Sequence, residues 1–509
     1  MNQVSNNKRI ARNTAFLYVR MLFTTVLSLY AARLVLKNLG VEDYGIYNVV
    51  GGIVTFMGFL TSSMSSATQR YLSFYLGQEK IDKLQQTFSL LMTIFFVFCI
   101  VAFVLLECIG PLYISHYMKL PECRQAAAQY VFQFSLVTFL ISTLSTPYRS
   151  MLIAYEKMDM YAFISVLEAV LNVGIVVAIG FVSFDRLILF ALFQLIATAL
   201  VNVFLAFYCK KKLEGSRYKY YWNKDYFKEL LSYSGWNLFG SATGVMNFQG
   251  QAIVLNYFFG PVVNAAKAIA DKVNSLVTQF SSNFYMAVAP QIIKSYAAGN
   301  IDYMRSLVVS SSRYSFLMMF VFSVPIFLVM EPVLGLWLGG EQVSYEMIKF
   351  SQFTIIYSLV NVLEQPITMA VRATGDIKKY QVNVGLFTLS FIPLCIVLFL
   401  TGVPSYYSMI LLSIIYLIAL FIRLHIVSPI IQVTIVDYIK QVLFPIVFVV
   451  LIDVIFILLI NKVCGLGNNQ WLLEGVISFC TTAFVCLMIG LKNTERKMLF
   501  NYIINRIRR

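Results

Sequence analysis

Apolar runs of about 20 residues recur along the whole chain and are separated by short polar stretches. A helix needs about 20 apolar residues to cross a bilayer core, and the alternating segments typical of a membrane barrel are absent. The pattern therefore predicts an all-α polytopic membrane protein with about fourteen transmembrane helices. The predicted spans are residues 13–36, 46–69, 87–110, 127–148, 161–183, 187–209, 230–257, 262–288, 307–331, 350–371, 381–401, 404–422, 441–461 and 473–491.

The composition agrees with this class, because 59% of the 509 residues are hydrophobic and only 12% are charged. The longest predicted loop, about 210–229, is too short to be a domain, and the chain has no Walker A sequence. An ATPase on the same chain is thereby excluded. The eight cysteines are scattered and show no metal-ligand spacing, so neither a metal nor another cofactor is predicted.

The distribution of basic residues predicts the orientation of the chain. With the N-terminus and the C-terminal tail both cytoplasmic, 28 of the 39 Lys and Arg residues lie on the cytoplasmic side. The net charge of +15 is then a topology signal that also favours contact with anionic membrane lipids, and nucleic acid is not needed to explain it. Seven of these residues belong to the loop at 210–229: Lys210, Lys211, Lys212, Arg217, Lys219, Lys224 and Lys228.

The chain also repeats itself. One and the same shift along the sequence brings Pro147 onto Pro366 and Tyr161 onto Tyr380. This nearly constant shift predicts two six-helix lobes of the same orientation, a parallel repeat that would enclose a cavity at the bilayer midplane. The predicted organisation is an N-terminal lobe at 1–209, a cytoplasmic linker at 210–229, a C-terminal lobe at 230–426, and two extra helices with a basic tail at 427–509.

Three sequence motifs carry a resemblance to a known family. They are "LGVEDYG" between the first two spans, "SSATQRYLSFYLG" at the end of the second span, and "VAPQIIKSYAAGNID" at the end of the eighth. With its fourteen spans, the chain resembles the Wzx-type polysaccharide (O-antigen) flippases of bacteria. These flippases belong to the multidrug/oligosaccharidyl-lipid/polysaccharide (MOP) exporter superfamily.

The resemblance implies a non-enzymatic transporter in the bacterial cytoplasmic (inner) membrane. Such a protein moves a lipid-linked oligosaccharide, usually carried on undecaprenyl pyrophosphate, to the outer leaflet by alternating access. It does so for the biosynthesis of surface polysaccharide such as lipopolysaccharide. A polysaccharide polymerase and a chain-length regulator are implied as partners.

Three charges lie close together in the eighth span, where an ionisable residue usually faces a wet cavity or the interior of a bundle. Lys267 and Asp271 are four residues apart, so they share a helix face and can pair. Lys272 points about 140° away from Lys267 and remains available to an anionic substrate. The alternative is a purely structural ion pair that ties this helix to a neighbour.

Other charges in the spans are weaker candidates. Arg20 and Arg33 on the first helix are predicted to contact phosphate, although Arg33 is close enough to the surface to snorkel there. Glu364, beside Pro366, and Glu168 are predicted coupling or gating acids, with a salt bridge inside the lobe as the alternative. Arg313 is expected to snorkel to the surface. Tyr71 is expected in the interfacial aromatic belt.

Two rival functions remain. A cation-coupled drug exporter of the related MATE type shares the fold, but it is expected to carry an acid within the first lobe, often on helix 1 near a proline. Helix 1 here is cationic and has no proline, which favours an anionic substrate. An integral polymerase or glycosyltransferase needs larger loops outside the membrane than this chain has.

Overall fold

Helices account for all regular structure in the described part of the chain. The computed structural model describes residues 3–55, 57–116, 122–182, 184–338, 343–464, 470–493 and 495–496. Among these residues, ten helices are long and apolar enough to cross a membrane. The predicted class, an all-α polytopic membrane protein, is therefore confirmed, while the count of fourteen spans stays a prediction.

The first compact unit comprises Met1–Leu238 and Ile293–Gly299. Its longest helix, α1, consists of two helices joined at Gly40, where φ is 81° and a side chain would be strained. Buried aliphatic and aromatic side chains hold the unit together in two clusters, one around Val131 and one around Leu152. The helices are α1 (Gln3–Thr55), α2 (Gly58–Gly77), α3 (Ile81–His116), α4 (Glu122–Leu144), α5 (Thr146–Ala154), α6 (Met158–Ile179), α7 (Arg186–Lys212) and the first part of α8 (Lys224–Phe259).

The second compact unit comprises Phe239–Ile292 and Asn300–Arg509. Its core joins α8, α9, α12, α15 and α16 through residues such as Leu255, Ala270 and Phe391. The helices that follow α8 are α9 (Pro261–Ala297), α10 (Ile301–Leu328), α11 (Met330–Leu338), α12 (Tyr345–Asn361), α13 (Glu364–Thr374), α14 (Lys378–Leu389), α15 (Phe391–Leu400), α16 (Tyr407–Ile431), α17 (Ile435–Tyr438), α18 (Phe444–Cys464) and α19 (Trp471–Val485).

Turns with left-handed backbone recur along the chain at the spacing of the sequence repeat. Positive φ angles occur at Gly40 and Gly260, at Glu79 and Gly299, and at Glu156 and Gly375. The members of each pair have almost the same separation in sequence as Pro147 and Pro366. The helix breaks before α5 and α13 also match, since both precede one of these two prolines. The backbone thus repeats where the sequence repeats.

The long helices α8 and α9, like α1 and α2, are not among the ten apolar candidates, although each is long enough to span a bilayer. Amide side chains, including Asn247 and Gln251 in α8, and the three charges of α9 lower their hydropathy. They contain the predicted spans 230–257 and 262–288. Polar residues in such helices are costly unless they face water, protein or a substrate.

Candidate functional site

The charges of α9 form the pair that their spacing predicts. The Lys267 Nζ lies 2.6 Å from the Asp271 Oδ2, one helical turn away. Lys267 is buried, with 4% of its surface exposed, and its ammonium lies 5.4 Å from the centre of the Phe248 ring on α8. A buried lysine needs such a partner, because an unpaired charge in a low-dielectric interior is strongly disfavoured.

Lys272 follows Asp271 directly on α9, and its side chain is exposed. It forms no ion pair with any residue that the structure describes. The Asp271 Oδ1 is buried and accepts no hydrogen bond within that same part of the chain. The cluster therefore combines one neutralised lysine, one available lysine, and a carboxylate oxygen with spare acceptor capacity.

Aromatic contacts lead from this cluster through the second unit. The Phe248 ring lies 6.1 Å from the ring of Tyr357, which lies 5.0 Å from the ring of Tyr416. The Arg423 guanidinium lies 5.6 Å from the Tyr416 ring. The α9 cluster and Arg423 are therefore joined by three side chains in van der Waals or cation–π contact.

Arg423 in turn holds Glu364, the predicted coupling or gating acid. The Arg423 Nη2 lies 2.5 Å from the Glu364 Oε2, and the Arg423 Nε donates to the Tyr380 hydroxyl at 3.1 Å. The Tyr380 hydroxyl also shares a hydrogen bond of 2.6 Å with Thr368. The salt bridge considered as the alternative for Glu364 is thus present, and a coupling role stays a prediction.

The predicted residues of the first unit occupy separate places. Glu168 pairs with Arg149, which also donates to the Asn202 Oδ1 at 3.3 Å. Arg20 is half-buried on α1, with its guanidinium 5.2 Å from the centre of the Tyr161 ring. The Arg33 side chain lies outside the described residues. Roles in substrate contact or gating remain predictions for all of these positions.

Tyr161 and Tyr380 align in the sequence repeat, and each contacts an arginine. Arg20 lies over the Tyr161 ring in the first unit, and Arg423 donates to the Tyr380 hydroxyl in the second. The shift that brings Tyr161 onto Tyr380 does not bring Arg20 onto Arg423. The two copies of the repeat therefore share the tyrosine, but the arginine that contacts it comes from a different position in each copy.

A second charged cluster, in the first unit, was not singled out from the sequence. The Glu156 carboxylate is 1% exposed and accepts contacts from the Arg9 Nε at 2.8 Å and the Lys294 Nζ at 2.6 Å. Burial lowers the pKa of Lys294, and the negative charge of Glu156 opposes that shift. The available signal was Lys294 itself, a charge inside the motif "VAPQIIKSYAAGNID".

Gly77, which closes the motif "SSATQRYLSFYLG", lies directly against this cluster. A Cβ at Gly77 would come within 2.7 Å of the backbone Cα and O atoms of Lys294. The α2 terminus and the α9 terminus therefore meet at a distance that only glycine permits. Two of the three family motifs are in contact here.

Two expectations from the sequence are wrong. Arg313 does not snorkel to the surface: its side chain is 4% exposed and its Nη2 lies 2.5 Å from the Glu495 Oε1. A carboxylate after the last helix thus keeps this arginine inside the protein. Tyr71 is not an interfacial residue: it is 2% exposed, and its hydroxyl donates to the Glu229 Oε1 at 3.0 Å.

Models of two protein families match the sequence. A family described as "Polysaccharide biosynthesis protein" matches residues 10–296, which is more than half of the chain. A second family, MatE, matches residues 241–397. No protein of curated function matches the chain in sequence.

Solved structures of similar fold are membrane transporters. A MATE transporter in complex with MaL6 has a TM-score of 0.72 and 12% identity, covering 84% of this chain and 96% of that one. A MOP superfamily transporter from Pyrococcus furiosus has a TM-score of 0.70 and 12% identity over the same shares, and is described as having a binding pocket of reverse polarity. A mutant of the Vibrio cholerae MATE transporter VcmN has a TM-score of 0.65 and 16% identity, covering 84% and 97%. At these identities the likeness shows the fold alone.

Proposed function

The chain belongs to the polysaccharide biosynthesis protein family, within the MOP superfamily of membrane transporters, and from this premise we propose that it flips a lipid-linked oligosaccharide. The glycan would be carried on undecaprenyl pyrophosphate and would pass from the cytoplasmic to the outer leaflet of a bacterial cytoplasmic membrane. Surface polysaccharide, such as O-antigen, would be assembled from the translocated unit by a polymerase and a chain-length regulator.

The α9 cluster is the observation that carries this proposal. A pyrophosphate head brings negative charge into the membrane and needs a cation there. Lys272 is exposed on a helix too polar to count among the apolar spans, so its ammonium is available to such a head. The Lys267–Asp271 pair beside it contributes no net charge, which leaves the cluster with one uncompensated positive charge.

Arg20 supports the same interpretation from the first unit. Its guanidinium is half-buried on α1 over the Tyr161 ring, where it can form paired hydrogen bonds to phosphate oxygens. The tyrosine face stabilises the cation.

Gating would depend on the Arg423–Glu364 pair. Because the aromatic contacts from Phe248 to Tyr416 join it to α9, a substrate that attracts the α9 lysines would also alter the environment of Arg423. For this pair to gate the cycle, it would have to alternate between the paired arrangement and a separated one.

The test compares lipids and surface glycan in cells with and without the protein. Loss of the protein is expected to cause prenyl-pyrophosphate-linked oligosaccharide to accumulate while the surface loses polysaccharide. Re-expression of the intact chain should reverse both changes, and a Lys267→Ala/Lys272→Ala chain that still reaches the membrane should reverse neither. Unchanged lipid-linked glycan in the deleted strain would refute the proposal.

A drug exporter is the second candidate, because the MatE model matches residues 241–397. This function predicts that cells lacking the protein become sensitive to toxic organic cations while their glycolipids stay unchanged. The uncompensated positive charge on α9 argues against it, since a cationic drug would be repelled there. Measuring drug sensitivity and glycolipids in the same strain separates the two functions.

A further inference from the structure

The segment that links the two predicted lobes, residues 210–229 (the linker segment), is fixed to the first unit. The Tyr155 hydroxyl donates to the Glu214 carbonyl at 2.8 Å, and the Gln85 Nε2 donates to the Arg217 carbonyl at 3.1 Å. Further along, the Lys219 N–H donates to the Ser89 Oγ at 3.0 Å. The linker segment is therefore an ordered surface.

Its contacts place it at the predicted membrane boundary. The Tyr226 hydroxyl shares a hydrogen bond of 2.8 Å with Thr87, and the Tyr218 hydroxyl lies 3.4 Å from the Thr93 hydroxyl. Thr87 begins the predicted span 87–110, and Thr93 lies nearly two turns inside it. The middle of the linker segment thus runs alongside α3 at the level where the bilayer begins.

The outward face of the linker segment combines aromatic and basic side chains. Tyr218, Tyr220 and Trp222 are 49%, 75% and 51% exposed. All seven basic residues of the segment are exposed, against three acidic ones, Glu214, Asp225 and Glu229. Exposed aromatic rings among lysines are typical of a surface at the lipid headgroup level, where the ring enters the interface and the ammonium meets phosphate.

We propose that the linker segment binds acidic phospholipids of the leaflet that it faces. Tyr220 and Trp222 insert between headgroups, and Lys219, Lys224 and Lys228 contact lipid phosphates. The occupant is a lipid surface because the segment lies beside a membrane-spanning helix at the membrane boundary and carries a net positive charge. Since α8 begins at Lys224, this contact also fixes where α8 enters the membrane.

Trp222 reports this contact directly in the full-length protein. Replacing Trp236, Trp337 and Trp471 by Phe leaves Trp222 as the single tryptophan of the four in the chain. In nanodiscs that contain brominated phosphatidylglycerol, its fluorescence should be quenched, and it should be shielded from acrylamide. Full acrylamide access without bromine quenching would overturn the proposal.

A charge variant tests the lipid preference. In the single-tryptophan protein, Lys219→Gln/Lys224→Gln/Lys228→Gln should raise the phosphatidylglycerol fraction needed for half-maximal quenching by at least about threefold, since each lysine near an acidic surface strengthens binding. The matched control is Lys80→Gln/Lys83→Gln/Lys157→Gln, which removes three exposed lysines from other predicted cytoplasmic loops and should change that fraction less.

The same protein distinguishes bulk lipid from a prenyl pyrophosphate. Undecaprenyl pyrophosphate added at about one hundredth of the phosphatidylglycerol fraction should leave Trp222 quenching unchanged. If it displaces the brominated lipid at that level, or if the charge variant and its control behave alike, the proposed contact with acidic phospholipid is wrong. These outcomes do not depend on whether the protein flips a glycolipid.

Discussion

The Arg423 Nη2 on α16 lies 2.5 Å from the Glu364 Oε2 on α13. Both side chains are largely enclosed by the second unit, with 7% and 18% of their surfaces exposed. Breaking such a pair leaves a buried charge without compensation, which typically costs about 3–5 kcal/mol. Replacing both members by uncharged residues avoids that cost. Stability and transport can therefore be measured separately at this pair.

Glu364→Gln alone is expected to lower the stability of the detergent-solubilised protein by about 3 kcal/mol, because Arg423 loses its anion. Glu364→Gln/Arg423→Met should recover most of that loss but should not recover transport if the carboxylate gates the cycle. Thermal unfolding and glycolipid accumulation in cells are the two measurements. A stable and fully active double variant would show that the pair is structural only.

The two lysines of α9 should have different roles: Lys272 in transport and Lys267, through its pair with Asp271, in stability. Lys272→Ala is expected to reduce transport at least tenfold while leaving stability within about 0.5 kcal/mol, because the side chain is exposed. Asp271→Asn should destabilise the protein, since it leaves the buried Lys267 without its carboxylate. Transport assays and unfolding curves separate these effects.

The control for the α9 lysines is Lys379→Ala on α14, another exposed lysine. It should change neither transport nor stability. Equal loss of transport in Lys272→Ala and Lys379→Ala would mean that general surface charge, rather than the α9 cluster, supports the reaction.

Two glycine-to-alanine substitutions should change the stability of the protein in opposite directions. Gly77→Ala brings a Cβ to within 2.7 Å of the Lys294 backbone, so the α9 terminus must move, and we expect a loss of about 1–3 kcal/mol. Gly235→Ala, in the interior of α8, meets no atom within 4 Å and should stabilise the protein by about 0.5–1 kcal/mol. The unfolding temperatures of the two variants provide the comparison, and a neutral Gly77→Ala would contradict the close approach.

Glu156 and Lys294 should be energetically coupled. Glu156→Gln leaves two cations, Arg9 and Lys294, around an uncharged side chain, whereas Glu156→Gln/Lys294→Met removes one cation as well. A double-mutant cycle on unfolding stability should yield a coupling energy of about 1–3 kcal/mol. Additive effects would show that the ion pair contributes nothing to stability.

Local patterns in the sequence were enough to predict the helices, the position of the repeat and the Lys267–Asp271 pair. Helical periodicity places residues four apart on one face whatever surrounds them, so this pair required no knowledge of neighbours. Arg313 shows the limit of such reasoning, because its partner Glu495 lies 182 residues away in sequence. From its local sequence, Arg313 is expected to snorkel to the surface. Its side chain instead pairs with the carboxylate of Glu495.

The helical membrane architecture and the nearly constant spacing of the backbone repeat follow from local sequence, because hydrophobic length and turn-forming residues act locally. The pairing of charges, in contrast, depends on the packing of helices: Glu364 pairs with Arg423, Glu156 with Lys294 and Arg9, and Glu168 with Arg149. An acid within an apolar helix must find a cation or face water. Which of the two occurs depends on neighbouring helices that are far away in the chain, and folding brings them together.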